Sequence, residues 1–200
     1  MSKWARNRLG QAGEDAIKRW LVEERQCSLL PLCDIDSREG SGGPRYIVPG
    51  GTFVSPDFLV SKDRMFMWVE VKCKSHATWH YVSRTWTTGI DLRYYNEYIR
   101  VQEQSQIPLW LIFYHESALS HPRDVRRGAT QYCPRGIYGG EILALGKTIH
   151  HRYEPGGMIY WAIDDLVALS GNAPKHATLA ESVFTPAASH PEEKQLSLWD

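Results

Sequence analysis

Residues 53–74 read FVSPDFLVSKDRMFMWVEVKCK, which is two extended apolar runs joined by a polar segment. The first run spans Phe53 to Val60 and the second spans Met65 to Lys74, with Ser61 to Arg64 between them. Apolar runs separated by a short polar connection are typical of a β-hairpin. The sequence therefore predicts an antiparallel pair of strands with a four-residue connection.

Three charged side chains interrupt this apolar hairpin: Asp57 in the first run, and Glu70 and Lys72 in the second. Side chains two residues apart on a strand point to the same face, so Glu70 and Lys72 project together. Val69 and Val71 project to the opposite, apolar face. Strand pairing can bring Asp57 beside Glu70, and burying two carboxylates is costly unless a cation compensates.

Oxygen ligands of this kind suit Mg²⁺ (or Mn²⁺), with the carbonyl of Val71 as a third candidate ligand beside Asp57 and Glu70. Such an ion polarises a phosphate and generates hydroxide, and the Lys72 ammonium orients the water or stabilises developing charge. The chemistry that these groups predict is phosphodiester hydrolysis. A surface ion pair between Glu70 and Lys72 is the alternative interpretation.

Patterns on both sides of the hairpin predict its neighbours. Apolar residues recur at helical spacing from Lys3 to Glu24, which indicates one long amphipathic helix. Residues 28–32 are a candidate strand, and Pro31 places it near a sheet edge. Glycines and prolines over residues 37–51 predict a loop.

After the hairpin, residues 91–104 have helical periodicity and residues 109–114 form a continuous apolar run typical of a buried strand. A helix between two strands predicts a right-handed crossover onto the same sheet. A polar loop is expected over residues 117–140, and strands over residues 141–145 and 158–163. Asp164 is predicted to cap a final helix at residues 166–169.

Composition agrees with an ordinary globular chain of 200 residues, with 42% hydrophobic and 23% charged residues and a net charge of zero. No apolar stretch reaches the roughly 20 residues of a membrane span, and the N-terminus has no apolar signal core. A cytoplasmic protein without a membrane partner is therefore expected. The four cysteines lack C-x-x-C spacing, so reduced thiols rather than a zinc site are predicted.

Pro56-Asp57 followed by Glu70-Val71-Lys72 resembles the signature of the PD-(D/E)xK nuclease superfamily. This group includes restriction endonucleases, archaeal Holliday-junction resolvases and recombination exonucleases. The order helix, strand, hairpin, helix, strand is also similar over residues 3–114. The resemblance implies an α/β, restriction-endonuclease-like core over residues 1–169, with a central mixed sheet of about five strands flanked by helices. It also implies a Mg²⁺-dependent nuclease that acts on DNA.

The resemblance extends to further site residues. Many members carry a glutamate on the first helix that reaches the metal, and Glu14 matches it; the alternative is an exposed glutamate that favours the helix dipole. Some members carry Tyr or Gln on the helix after the lysine, and Tyr98 and Gln102 occupy comparable places. The alternative for Tyr98 is that it packs in the hydrophobic core and has no role in the site.

Several residues outside this signature are candidate DNA contacts. Lys74 flanks the predicted site, and Trp79 lies in an aromatic segment that can stack on bases or pack as a small subcore. Arg123, Arg126 and Arg127 cluster in one loop and are candidate phosphate contacts, with plain surface as the alternative. His76 and His80 are candidate ligands of a second metal, with solvated loop histidines as the alternative.

From residue 170 the composition shifts to small and polar residues, which predicts a flexible tail over 170–200. The tail ends in a peptide at 195–199 that resembles the motif by which bacterial repair proteins dock on the DNA sliding clamp. In that motif Gln195 contacts the pocket rim and Leu196, Leu198 and Trp199 supply the apolar contacts. Trp199 departs from the usual Phe.

The sequence thus favours a metal-dependent deoxyribonuclease recruited by the sliding clamp. Two variants of this nuclease hypothesis are a structure-specific resolvase that acts as a homodimer and a restriction-type endonuclease. A non-catalytic DNA-binding or adaptor module with the same fold is the alternative from another class. The complete set of Asp57, Glu70 and Lys72 favours the enzyme.

Overall fold

The computed structural model describes residues 3–32, 44–49, 51–153 and 157–170. The strands are β1 (Ser28–Pro31), β2 (Arg45–Val48), β3 (Gly51–Val54), β4 (Phe58–Lys62), β5 (Met65–Lys74), β6 (Thr78–His80), β7 (Thr85–Asp91), β8 (Leu109–His115), β9 (Gly136–Glu141), β10 (Ile149–Arg152), β11 (Met158–Ala162) and β12 (Val167–Ser170). The α-helices are α1 (Lys3–Arg19), α2 (Leu92–Ser105), α3 (Pro122–Val125) and α4 (Ile142–Leu145). A π-helical turn follows α1 over Trp20–Glu24.

The central sheet is mixed and has six strands in the order β1-β4-β5-β8-β9-β12. Its neighbours are antiparallel except β5 and β8, which are parallel and are connected through β6, β7 and α2. The predicted α/β class with flanking helices is confirmed, with six central strands where about five were expected. The edge strand β1 and the crossover onto β8 also lie where the sequence predicted them.

The hairpin of β4 and β5 is the centre of this sheet. Its register pairs Phe58 with Val69 and Lys62 with Met65. Asp63 and Arg64 alone form the turn, both with positive φ (51° and 67°), which matches the twist of a two-residue hairpin turn. The predicted four-residue connection was too long because Ser61 and Lys62 continue the ladder.

The glycine-rich segment before β4 contains a second hairpin, so the loop predicted for residues 37–51 was wrong over β2 and β3. These two strands pair with each other, from Arg45 opposite Val54 to Val48 opposite Gly51. The backbone N–H of Val54 donates to Glu97 Oε2 on α2 at 2.7 Å, which ties the hairpin to that helix. The single extended run predicted from Phe53 to Val60 is therefore two strands.

The C-terminal predictions need three corrections. Residues 142–145 form α4 rather than a strand, because Glu141 ends β9 and its carboxylate accepts from Ala144 N at 2.8 Å as a helix cap. Residues 167–169 of the predicted helix belong to β12, which pairs with β9, and Asp164 lies in a short 3-10 turn (Ile163–Asp165) instead of capping a helix. The predicted polar loop at 117–140 contains α3 and most of β9.

Two apolar layers cover the two faces of the central sheet. Val69 and Val71 pack under α1 with Ile17, whereas Leu109 and Leu111 pack with α2 on the other face. A second sheet, in the order β10-β11-β7-β6, lies on the α2 side. Among the described helices, none has the length and apolar character that a membrane crossing requires. The cysteines at 27, 73 and 133 are free thiols.

Candidate active site

A cleft of about 580 Å³ opens where α1, β5, α2 and the β2–β3 hairpin meet. Glu14 of α1, Asp57 before β4, and Glu70 and Lys72 of β5 all line it. The structure thus brings together the four residues that the sequence predicted to form one site. They converge because β4 begins at Phe58, which leaves the sheet open beside Glu70.

The carboxylate of Asp57 replaces a missing rung of the ladder. Pairing of β4 with β5 begins at Phe58 and Val69, and the N–H of Val71 donates instead to Asp57 Oδ2 at 2.7 Å. The N–H and C=O of one residue in an extended strand point to the same neighbour. The Val71 carbonyl therefore faces the edge at which Asp57 lies.

Glu70 is the most buried acid of the cleft, at 3% exposure. Its Oε1 forms a salt bridge with the Lys72 ammonium, as expected for residues two apart on one strand face. Its Oε2 is buried and has no hydrogen-bond partner among the residues that the structure describes. An unpaired carboxylate oxygen in a buried position needs a compensating group.

The pKa values of the ionisable side chains around Glu70 are shifted by burial and by the charges close to them. Burial and then the nearby Glu70 carboxylate raise the pKa of Asp57 to about 8. Burial also raises the pKa of Glu14, against the opposing charge of Lys18. Burial alone would lower the pKa of Lys72, but the Glu70 carboxylate outweighs it and the pKa is raised. The site therefore combines one firmly charged cation with carboxyl groups that resist ionisation together.

This set of donors fits a hard divalent cation. Three carboxyl groups and a backbone carbonyl supply only oxygen atoms, which Mg²⁺ and Mn²⁺ prefer. The unpartnered Glu70 Oε2 has the free lone pairs that such an ion needs. A second positive charge beside Lys72 would relieve the repulsion between the Asp57 and Glu70 carboxylates.

Two tyrosines of α2 form the wall opposite Glu14. Lys72 Nζ lies 5.5 Å from the Tyr94 ring centroid and 5.7 Å from that of Tyr98, within cation–π range. Burial, and then the charge of Glu70, raise the pKa of Tyr98, so its hydroxyl stays neutral. Sequence reasoning missed Tyr94, although its position one helical turn before Tyr98 places both on one face.

The rim of the cleft is basic, and sequence reasoning missed this as well. Lys18, Arg45 and Arg93 all line the opening. Arg45 and Arg93 share the Glu97 carboxylate, at 3.8 and 3.3 Å. They come from α1, β2 and α2, so no local pattern links them.

The remaining predicted DNA contacts do not line this cleft. Gln102 is structural: its amide donates to Glu141, and its carbonyl oxygen accepts from Leu109 N at 2.7 Å. Trp79 packs edge-on against Trp86 in the second sheet, with ring centroids 5.0 Å apart. Lys74 is half-buried at the end of β5, where burial and then the charge of Lys72 lower its pKa.

The predicted arginine cluster lies on and after α3. Arg123, Arg126 and Arg127 are exposed there, and the Arg127 guanidinium lies 5.6 Å from the Tyr81 ring centroid. They form a separate basic surface rather than a wall of the cleft. The predicted clamp-binding residues Gln195, Leu196, Leu198 and Trp199 lie outside the described residues.

The two histidines proposed as ligands of a second metal lie apart. The ring of His76 packs on His121, with centroids 5.2 Å apart. His80 instead contacts His150 and His151 of β10, at 4.9 and 4.4 Å between ring centroids. A ligand pair of His76 and His80 is therefore not formed.

Solved structures with a similar backbone include the following two chains. One is Hjc from Archaeoglobus fulgidus, a Holliday junction resolvase, with a TM-score of 0.44 and 8% identity, covering 80% of this chain and 96% of the other. The second is D212, a nuclease from a fusselovirus, with a TM-score of 0.38 and 8% identity, covering 83% and 86%. No protein-family model matches the chain, and the comparison with curated proteins yields no match.

Proposed function

We propose that the chain is a Mg²⁺- or Mn²⁺-dependent nuclease that hydrolyses DNA phosphodiester bonds in the cleft of Asp57, Glu70 and Lys72. The observation that carries the proposal is the buried Glu70 Oε2, which has no hydrogen-bond partner in the described part of the chain and lies beside the Asp57 carboxyl and the Lys72 ammonium. Buried carboxylates of this kind are retained where a cation binds. The open, basic rim supports a phosphate-bearing substrate.

In this proposal Asp57, Glu70 and the Val71 carbonyl hold the metal, and Glu14 assists from α1. The bound ion would supply Lewis-acid activation of the phosphate and a lowered pKa for water. Lys72, held by Glu70 and by the two tyrosine rings, positions the attacking water and stabilises charge that develops on the phosphate. The neutral Tyr98 ring lies over the Lys72 ammonium and helps to hold it beside Glu70.

The basic rim has a separate role in this proposal. Lys18, Arg45 and Arg93 contact the phosphodiester backbone and align the scissile bond with Lys72. Contacts of this kind position DNA without reading its sequence. The arginines on and after α3 provide additional backbone contacts on a second surface. The peptide at 195–199 is proposed to dock on the sliding clamp.

The test is cleavage of a labelled panel of single-stranded, duplex, flap and four-way-junction DNA with Mg²⁺ or Mn²⁺. Asp57→Asn and Lys72→Ala should abolish cutting, because each removes one part of the site. Asp57→Asn retains an oxygen that accepts from Val71 N, which protects the fold. Glu23→Gln, an exposed acid in the turn that follows α1, is the matched control and should cut like the wild type.

The same panel separates the enzyme from the non-catalytic alternative. If folded wild type binds DNA but cuts no substrate with either metal, the nuclease proposal fails and a DNA-binding module becomes the better description. Cutting that survives in Lys72→Ala would place the chemistry elsewhere in the chain. Preference for the junction substrate would favour a resolvase over a general nuclease.

A further inference from the structure

Three histidines form a cluster at the second sheet, remote in sequence from the carboxylate site. His80 ends β6, and His150 and His151 are consecutive in β10. One ring nitrogen from each lies within 4.8 Å of those of the other two. We propose that His80, His150 and His151 bind a Zn²⁺ ion that joins the two edges of the four-stranded sheet.

The position of the cluster in the sheet is the first argument. The strands β6 and β10 lie at opposite edges, in the order β10-β11-β7-β6. The rings of His80 and His151 are nevertheless 4.4 Å apart, so side chains from the two edge strands meet. Within the sheet, Gly89 of β7 lets β11 pass closely, because an added Cβ would lie 2.2 Å from the Ile159 carbonyl oxygen. A metal bound by these side chains would link the two edge strands, β6 and β10.

A β-bulge explains how two neighbouring residues reach one point. Ile149 pairs with Trp161 and His151 pairs with Tyr160, so His150 is an extra residue in β10. In a regular strand consecutive side chains point to opposite faces, but a bulge redirects one of them. The rings of His150 and His151 both contact His80 as a result.

The contacts around the cluster fit metal ligands. Ser83 holds the His80 ring: its Oγ lies 2.7 Å from Nδ1, and its backbone N–H donates to the same nitrogen at 3.3 Å. With a metal on Nε2, Nδ1 would carry the proton and donate it to Ser83 Oγ in place of accepting the longer bond. His151 stacks on Tyr160 at 4.5 Å and 9°, which holds its plane. His150 Nδ1 and His151 Nδ1 face each other at 2.6 Å, so they share either one proton or one cation.

The chemistry of the donors selects the metal. Three imidazoles suit Zn²⁺ and disfavour Mg²⁺, which prefers oxygen. Tetrahedral Zn²⁺ with bonds of about 2.0 Å separates its ligand atoms by about 3.3 Å, so the two facing nitrogens, 2.6 Å apart, must part by about 0.7 Å.

The experiment titrates metal-stripped full-length protein with Zn²⁺, and with Co²⁺ as a spectroscopic probe, in excess Mg²⁺. Wild type should bind one equivalent, show the visible bands of tetrahedral Co²⁺, and melt at a higher temperature with Zn²⁺. His151→Ala should lower the Zn²⁺ affinity by at least about a hundredfold and lose the Zn²⁺-dependent shift in melting temperature.

Matched variants separate this site from the others. His76→Asn removes a half-buried imidazole from a pair outside the cluster, and Asp57→Asn alters the carboxylate cleft; both should keep Zn²⁺ binding. If His151→Ala is misfolded by near-ultraviolet circular dichroism, His80→Asn is used in its place. Weak binding by wild type, binding unchanged in the cluster variants, or binding lost in Asp57→Asn would each overturn the proposal.

Discussion

At the scale of single residues, the site rests on the balance between Glu70 and Lys72. Glu70 is 3% exposed, and Lys72 is the cation that pairs with it. A buried charge is tolerated only with its partner, so neither residue is independent of the other. The pair therefore contributes both to the proposed chemistry and to the stability of β5.

Lys72→Met should lower the free energy of unfolding by roughly 2–3 kcal/mol in metal-free buffer, because it leaves the Glu70 carboxylate buried without a partner. The double variant Glu70→Gln/Lys72→Met should regain much of that loss, since no uncompensated charge remains. Urea denaturation of the wild type, both single variants and the double variant completes the cycle. Additive losses would mean that the pair is not coupled.

At the scale of elements, α1 reaches the site because a glycine lets it approach β5. A Cβ added at Gly13 would lie 2.5 Å from both Cβ and Sγ of Cys73, which precludes any larger residue without movement. Glu14 follows Gly13 directly and lines the cleft. The close contact of helix and strand thus places the Glu14 carboxylate of α1 in the same cleft as Glu70 of β5.

Gly13→Ala should destabilise the fold by about 1–2 kcal/mol, because overpacking against Cys73 outweighs the better helix propensity of alanine. Gly10→Ala is the matched control in the same helix, and an added Cβ there meets nothing within 4 Å. It should stabilise by up to about 1 kcal/mol. Thermal melts of the two variants give the signs; stabilisation by both would show that α1 does not pack as closely as described.

Gly13→Ala should also weaken cleavage if Glu14 assists the metal, since the helix must shift away from β5.

The β2–β3 hairpin is the other element that shapes the cleft, through Arg45 and its contact with Glu97. Both α1 and the β2–β3 hairpin are separate in sequence from Glu70 of β5. Their contributions depend on tertiary packing.

At the scale of the whole molecule, the net charge is zero, because the 23 lysines and arginines equal the 23 aspartates and glutamates in number. A neutral protein does not attract DNA through its net charge, so any affinity must come from local basic surfaces. The rim of Lys18, Arg45 and Arg93 is one such surface, and the arginines on and after α3 are another.

Arg93→Ala, made in an Asp57→Asn background to prevent cutting, should weaken DNA binding equally across sequences and reduce the salt slope by about one phosphate contact. Arg93 is suited to this test because its side chain is 75% exposed at the rim. Arg19→Ala, on the exposed side of α1, should leave the slope unchanged. Fluorescence anisotropy at several salt concentrations measures both, and equal slopes in all proteins would exclude the rim as the DNA surface.

Local sequence patterns were sufficient for the centre of the fold. The alternation of β5 put Glu70 and Lys72 on one face, and hairpin pairing put Asp57 beside them, because strand period and turn geometry act over a few residues. Helical periodicity likewise located α1 and α2. Glu14 was found through resemblance, and its proximity to the acids follows from the packing of Gly13 on Cys73.

Tertiary structure alone decided the rest. The basic rim and the meeting of His80 with His150 and His151 join segments that are far apart in the chain. The β2–β3 hairpin is local, but the contact of Val54 with Glu97 that holds it on α2 is not. Short apolar runs such as those at 142–145 and 166–169 suit a helix or a strand equally, and their partners made the choice. Periodicity reports how a segment repeats, whereas the identity of its neighbours depends on how buried surfaces fit together, which no local pattern encodes.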